Sequence, residues 1–148
     1  MKVTMTIRDA VASDLDAVIL LDQSGSKEEK PAYWSSIFDR YLNRPRKDRH
    51  FLVAQSNDKL VGFIIGEVRA WEFGSSPCGW VFALAVSPNL REMGIGQQMF
   101  AEISKRLKQV GVTTVRTMVE RDNKLLLSFF RGMGLWSGKY LELEKSLD

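Results

Sequence analysis

The sequence predicts a mixed α/β domain, and three observations carry that prediction. Polar and apolar residues alternate at the N-terminus, Asn57-Asp58 separates two apolar runs as a hairpin turn does, and an apolar run ending at Val86 feeds a glycine turn and a helix. Read in order, the elements run β-α-α-β-β-β-α-β-α-β, with a largely antiparallel first half. The 148 residues, 45% hydrophobic and 26% charged, suit a single domain spanning residues 1–148 with one core.

Val3, Met5 and Ile7 alternate with Lys2, Thr4, Thr6 and Arg8, which predicts a half-buried strand. Ser13, with Asp16 three residues on, predicts the start of a helix whose apolar face is Leu15, Val18, Ile19 and Leu21, ending at Ser24-Gly25-Ser26. Pro31 opens a second helix through Tyr33, Trp34, Ile37, Phe38 and Tyr41, stopped by Pro45. Most such aromatic stripes are core, and the lining of an acceptor pocket is the open alternative. Residues 50–55 and 60–71 are the hairpin strands, and residues 80–86 are apolar on both faces, as in a strand covered from both sides. Ile95, Met99, Ile103 and Leu107 recur every four residues in a helix that Gly111 closes. A strand at 113–119, a helix capped by Asp122 or Asn123 and a last strand near 139–143 complete the chain.

Composition excludes several chemistries. Cys78 is the single cysteine, so neither an intrachain disulfide nor a cysteine metal cluster can form, and no metal site is expected. His50 is the single histidine, placed at a strand entrance where a structural role outweighs a catalytic one. Net charge is +3, which suits an anionic ligand without demanding nucleic acid. Arg40, Arg44, Arg46, Lys47 and Arg49 cluster without aromatics interleaved throughout, Tyr41 being the one among them, and read as a solvated connection more than as a nucleic-acid platform. The N-terminus lacks the apolar block of a signal peptide and no run reaches the ~20 apolar residues of a membrane span, so a cytoplasmic protein without a membrane partner is expected.

The chemistry concentrates in AVSPNLREMGIGQQMF, where a strand ends at Val86, Pro88 stops pairing, and two glycines open a helix. A helix start offers unpaired N–H groups and about half a positive charge, both suited to phosphate. Gly94 and Gly96 clear the Cβ atoms that would hold a diphosphate away, and Arg91 can add a charged contact. A glycine turn with no ligand is the alternative. The third glycine of a dinucleotide fingerprint and the Gly-Lys-Ser/Thr of a P-loop are both missing, so those readings lose support.

Arg91-Glu92-Met93-Gly94-Ile95-Gly96 resembles the signature turn of the GNAT superfamily of acyl-CoA-dependent N-acyltransferases: Arg or Gln, two residues, Gly, one residue, then Gly or Ala. The preceding strand through Val86 and the following NKLLLSFFRGMGL from Asn123 resemble the family too, so the likeness covers nearly the whole chain. It implies a central mixed, mostly antiparallel sheet of about six or seven strands flanked by about four helices. It further implies acetyl-CoA as acyl donor, with Leu84, Ala85 and Val86 beside the pantetheine arm. Arg91, Glu92, Met93, Gly94, Ile95, Gly96 and Gln97 would lie around the pyrophosphate, and Asn123 near the pantetheine end. A splayed gap between the strands ending near Val86 and covering 113–119 would admit the thioester, with a free N–H to polarise its carbonyl.

Many members of the family carry a tyrosine where this chain has Phe130, and use it to protonate the departing thiolate. Phenylalanine cannot donate that proton, so Phe130 is expected to pack near the sulfur; water, Ser128 or Tyr140 are weak substitutes. Glu67, following Val61, Phe63 and Ile65 on one strand face, is the candidate general base, with a solvated Glu67–Arg69 pair as the equal alternative and Glu120 a weaker choice. The expected reaction is acetyl transfer to a primary amine of a small molecule or peptide, with a homodimer compatible and a non-catalytic acyl-CoA sensor as the rival.

Overall fold

A computed structural model describes residues 4–148 of the chain. The Lys2 and Val3 part of the expected first strand lies outside the described residues. Five strands and four α-helices are present among them: β1 (Thr6–Asp9), α1 (Leu15–Ser26), α2 (Pro31–Leu42), β2 (Arg49–Ser56), β3 (Lys59–Arg69), β4 (Cys78–Val86), α3 (Ile95–Gln109), β5 (Val115–Arg116) and α4 (Lys124–Gly132). The strands form one sheet in sequence order, antiparallel from β1 to β4 and parallel between β4 and β5. The expected mixed α/β class therefore holds, with five strands in place of the anticipated six or seven.

Local chemistry accounts for the elements and their departures from expectation. Asn57 and Asp58 take positive φ of 51° and 62°, the hairpin geometry that matches strand twist. Asp14, not Ser13, anchors the start of α1: its carboxylate accepts from Arg8 at 2.8 and 3.0 Å and from the Val11 N–H at 2.8 Å. Burial opposes its ionisation, but Arg8 and Val11 outweigh that and hold it below the usual 3.8. The Ser24-Gly25-Ser26 break is helical instead, because Ser24 and Ser26 donate back to Leu21 and Asp22 carbonyls; α1 stops at Lys27, φ 67°.

The chain divides into two compact units, one ending at Thr117 and one spanning Met118–Asp148. In the first, Trp34, Ile37, Phe38 and Tyr41 of α2 pack on Phe51, Val53, Phe63 and Ile65, which makes the aromatic stripe chiefly core. The opposite sheet face meets Ile95, Met99, Ile103 and Leu107 of α3, all at most 2% exposed. That helix lies close because the sheet presents Gly62, Gly66 and Gly79 to it. A Cβ there would stand 2.9 Å from Met99, 3.0 Å from Ile103 and 2.8 Å from Leu107.

In the second unit, Asn123 caps α4 by accepting the Leu126 N–H at 3.1 Å. Gly134, φ 92°, closes it, with Gly134 donating to Arg131 and Leu135 to Phe130 at 3.0 and 2.9 Å. Residues 139–143 form no strand, and Leu141 and Leu143 are 78% and 85% exposed. Alternation makes a strand only where a neighbour pairs its backbone.

Candidate functional site

The glycine turn is built by a change of backbone hand. Ser87 closes the β3–β4 ladder onto Val61 at 2.8 Å, Pro88–Leu90 makes one 3₁₀ turn, and Glu92 and Gly94 then adopt φ of 70° and 83°. Gly94 is the N-cap of α3, so glycine is needed first for its left-handed backbone. A Cβ there would make only ordinary contact, 3.5 Å from Gln97. Left-handed Glu92 stores of order 1–2 kcal/mol, the kind of strain that collects at ligand sites. The first helical hydrogen bond runs from Gln98 to the Gly94 carbonyl at 3.1 Å, and no side chain caps the helix. The N–H groups of Ile95, Gly96 and Gln97 thus have no acceptor within α3. Ile95 is buried beneath them, while Arg91, Glu92 and Gln97 are exposed around them.

Beside this turn runs an incomplete strand edge. The ladder between β4 and β5 covers only Gly79↔Val115 and Trp80↔Arg116, and Thr117 adds one side-chain bond to the Val81 carbonyl at 2.7 Å. β5 is therefore two residues long, against the expected 113–119. Phe82 is an extra residue in β4, since Ile65 pairs Ala83 and Gly66 pairs Val81. Beyond this bulge, Ser87 bonding to Val61 sets the phase: Ala83, Ala85 and Ser87 address β3, and Leu84 and Val86 turn N–H and C=O toward the β5 side. The second half of β4 is only half-buried, which corrects the expectation of a strand covered on both faces. The loss of its neighbour is the cause.

At the bulge, the α2 face of the sheet carries a polar cluster. Tyr41 donates a hydrogen bond to Glu67 Oε1, and Arg69 Nε meets Glu67 Oε2 at 3.3 Å. Burial and the Glu67 carboxylate push the Tyr41 phenol far up, so it remains a donor. Glu67 is accordingly an anchored carboxylate with both oxygens engaged, at the end of the buried series Val61, Phe63 and Ile65. The Arg69 guanidinium lies 5.4 Å from the Trp80 ring centre and 5.8 Å from that of Phe82. Arg40 and Arg49 lie 5.4 and 5.5 Å from the Tyr41 ring; Arg49 is half-buried, whereas Arg40, like Arg44, Arg46 and Lys47, is exposed.

The remaining candidates belong to other elements. Asn123 and Phe130 belong to α4 in the second unit, where Phe130 is 4% exposed and stacks edge-on with Phe129. Glu120 and Tyr140 are in that unit's irregular segments, and Ser128 is on α4. His50 is half-buried, and burial followed by the Arg106 charge lowers its pKa. The glycine stripe under α3, the Phe82 bulge and the Arg69 stack were not read from the sequence. Gly62, Gly66 and Gly79 all lie in strands, and glycine inside a strand is the signal that marks close backbone approach.

Comparison with known proteins identifies the family and the fold. The Acetyltransferase (GNAT) family matches residues 16–135. The L-2,4-diaminobutyric acid acetyltransferase of Nocardia farcinica is 29% identical over 66% of this chain and 49% of its own length. The mycothiol acetyltransferase of Sanguibacter keddieii is 32% identical over 57% of this chain and 27% of its own. The chain thus spans half or less of these curated relatives. Among solved structures, an aminoglycoside N-acetyltransferase, AAC(6′)-Iy, in complex with CoA superposes with a TM-score of 0.85 at 14% identity, covering 100% of this chain and 98% of that one.

Proposed function

Since this chain belongs to the acetyltransferase (GNAT) family, we propose that it binds acetyl-CoA and transfers the acetyl group directly to a primary amine. The observation that carries the proposal is the uncapped, glycine-opened start of α3 adjoining a β4 edge with outward backbone groups at Leu84 and Val86. The N–H groups of Ile95, Gly96 and Gln97 would hold the pyrophosphate, with Arg91 adding charge. The outward backbone groups of Leu84 and Val86, on either side of Ala85, would take the pantetheine amides as a neighbouring strand would. CoA in the AAC(6′)-Iy complex and the acetyltransferase activities named for the relatives support this reading.

The reaction balances simply. The amine nitrogen forms a bond to the acetyl carbon, the carbon–sulfur bond breaks, the amine loses a proton and the CoA thiolate gains one. Orientation supplies most of the rate, since a held thioester and a held amine react as one molecule. The N–H of Leu84 is proposed to face the carbonyl oxygen as charge builds there. Glu67 is proposed to accept the amine proton, with Tyr41 and Arg69 fixing its orientation. Phe130 offers no proton for the thiolate, so solvent would supply it.

Phe130 also favours a second reading, a donor-binding module without turnover. Released thiol, followed across a panel of small amines and peptides, separates the two. The transferase reading requires amine-dependent CoA release; tight acetyl-CoA binding with only background release would leave the binding module.

A further inference from the structure

Arg69 is prepared for more than holding Glu67. Its guanidinium is stacked against Trp80 and Phe82, and its Nε is clamped by Glu67 at 3.3 Å. Its two terminal nitrogens meet no protein acceptor among the described residues, and the side chain is 36% exposed. A guanidinium fixed at its inner nitrogen and flattened on aromatic faces presents its outer fork ready-made, with little ordering left to do. The fork also has a particular address. Trp80 is the last β4 residue paired to β5 and Phe82 is the bulge, so Arg69 stands where the strand edge opens.

The surrounding charge is net positive. The charged groups acting on the Tyr41 phenol are Glu67, Arg40 and Arg49, and Arg69 pairs with that same Glu67. One carboxylate therefore sits among three guanidiniums. A polycationic acceptor would meet net repulsion there, whereas an acceptor bearing its own anion would be drawn in. Planar, bidentate recognition by arginine suits a carboxylate.

Resting on the transferase reading above, we propose that the acceptor is a small amino acid-type amine, its carboxylate held by the Arg69 fork within the field of Arg40 and Arg49, and its amine turned toward Glu67 and the β4 opening.

Matched pairs that differ by the carboxylate test this directly: lysine against cadaverine, ornithine against putrescine, and glycine against methylamine, with lysinamide as the neutral control. The expected result is at least a tenfold higher kcat/KM for the carboxylate member of one or more pairs. Arg69→Met should bring that ratio to about one while leaving the KM for acetyl-CoA unchanged. Arg69→Lys, which keeps charge and loses the fork, should fall between and guards against a variant that fails to fold. Equal or better use of the decarboxylated amines, or a ratio unmoved by Arg69→Met, overturns the proposal. Calorimetric binding of the same pairs to the CoA-loaded protein gives the answer without turnover. If acetyl-CoA itself fails to bind, the transferase reading falls, and the pairs are then titrated into the CoA-free protein. Saturable binding of lysine but not cadaverine there upholds the fork by itself, and absence of any preference ends it.

Discussion

Replacing Gly94 by Asp separates the fold's need for this position from the ligand's. The N-cap has φ 83°, so any L-residue pays roughly 1–2 kcal/mol of left-handed strain. Space is not limiting, because the nearest atom to a new Cβ would be Gln97 Oε1 at 3.5 Å. Measured against glycine, an aspartate at this uncapped helix start would gain only about a few tenths of a kcal/mol as a cap. Strain outweighs the cap by roughly 1–2 kcal/mol, and the melting temperature should fall by several degrees in both the Asp variant and its neutral control. The donor site responds differently, since the new carboxylate would stand where a diphosphate is proposed. At about 5 Å, one like-charge pair costs roughly 1–3 kcal/mol across effective dielectrics of about 80 to 20, about 5- to 150-fold in affinity. Gly94→Asn supplies the control, with the same shape, better tolerance of left-handed backbone and no charge. Titration calorimetry with acetyl-CoA should show Asp binding far more weakly than Asn, and the gap should narrow in high salt. Equal affinities for two folded variants would refute the assignment of pyrophosphate to this turn.

Three further outcomes follow from the geometry. Glu67→Gln should lower kcat by about 10²- to 10⁴-fold and remove the rise of rate with pH that a base confers; an unchanged pH–rate profile would return Glu67 to a structural role. His50 has a folded pKa held below its usual 6.5, so its contribution to stability is complete above that value and is lost as pH falls through the folded one. The urea midpoint should therefore drop as pH falls below about 6.5, and His50→Gln should flatten that drop; an equally steep variant would exclude His50 as the source. Gly62→Ala puts a methyl 3.1 Å from the Ala85 carbonyl and 2.9 Å from Met99. It should cost roughly 1–3 kcal/mol and weaken donor binding through displacement of α3, and a melting curve matching the unaltered protein would show that the helix has room to move.

What the sequence made legible was local. Asn57-Asp58 fixed the hairpin because only a few residue types accept two consecutive positive φ values. The Gly94 turn stood out because strand, proline, glycine and helical periodicity occur there together. Features that depend on two distant segments were not legible. The bulge at Phe82 is a mismatch of register between β3 and β4, and neither strand records it alone. β5 stops at Arg116 although its apolar pattern continues, because pairing needs a partner at the right distance. Residues 139–143 alternate as a strand would and form none. At the site, Glu67 was visible as a carboxylate ending an apolar face, but its engagement by Tyr41 from α2 required the fold. The stack of Arg69 on Trp80 and Phe82 joins two strands through a long loop, which residue spacing does not encode.

Amide NMR spectra of the protein titrated with acetyl-CoA test the central claim most directly, because the claim names particular N–H groups. Ile95, Gly96 and Gln97 at the start of α3, with Leu84 and Val86 on the β4 edge, should shift in saturable fashion and become protected from hydrogen exchange. Pantetheine alone should move the β4 pair and leave the helix start in place. Saturable binding that leaves all five amides unmoved, or shifts only residues on other elements, would contradict the account.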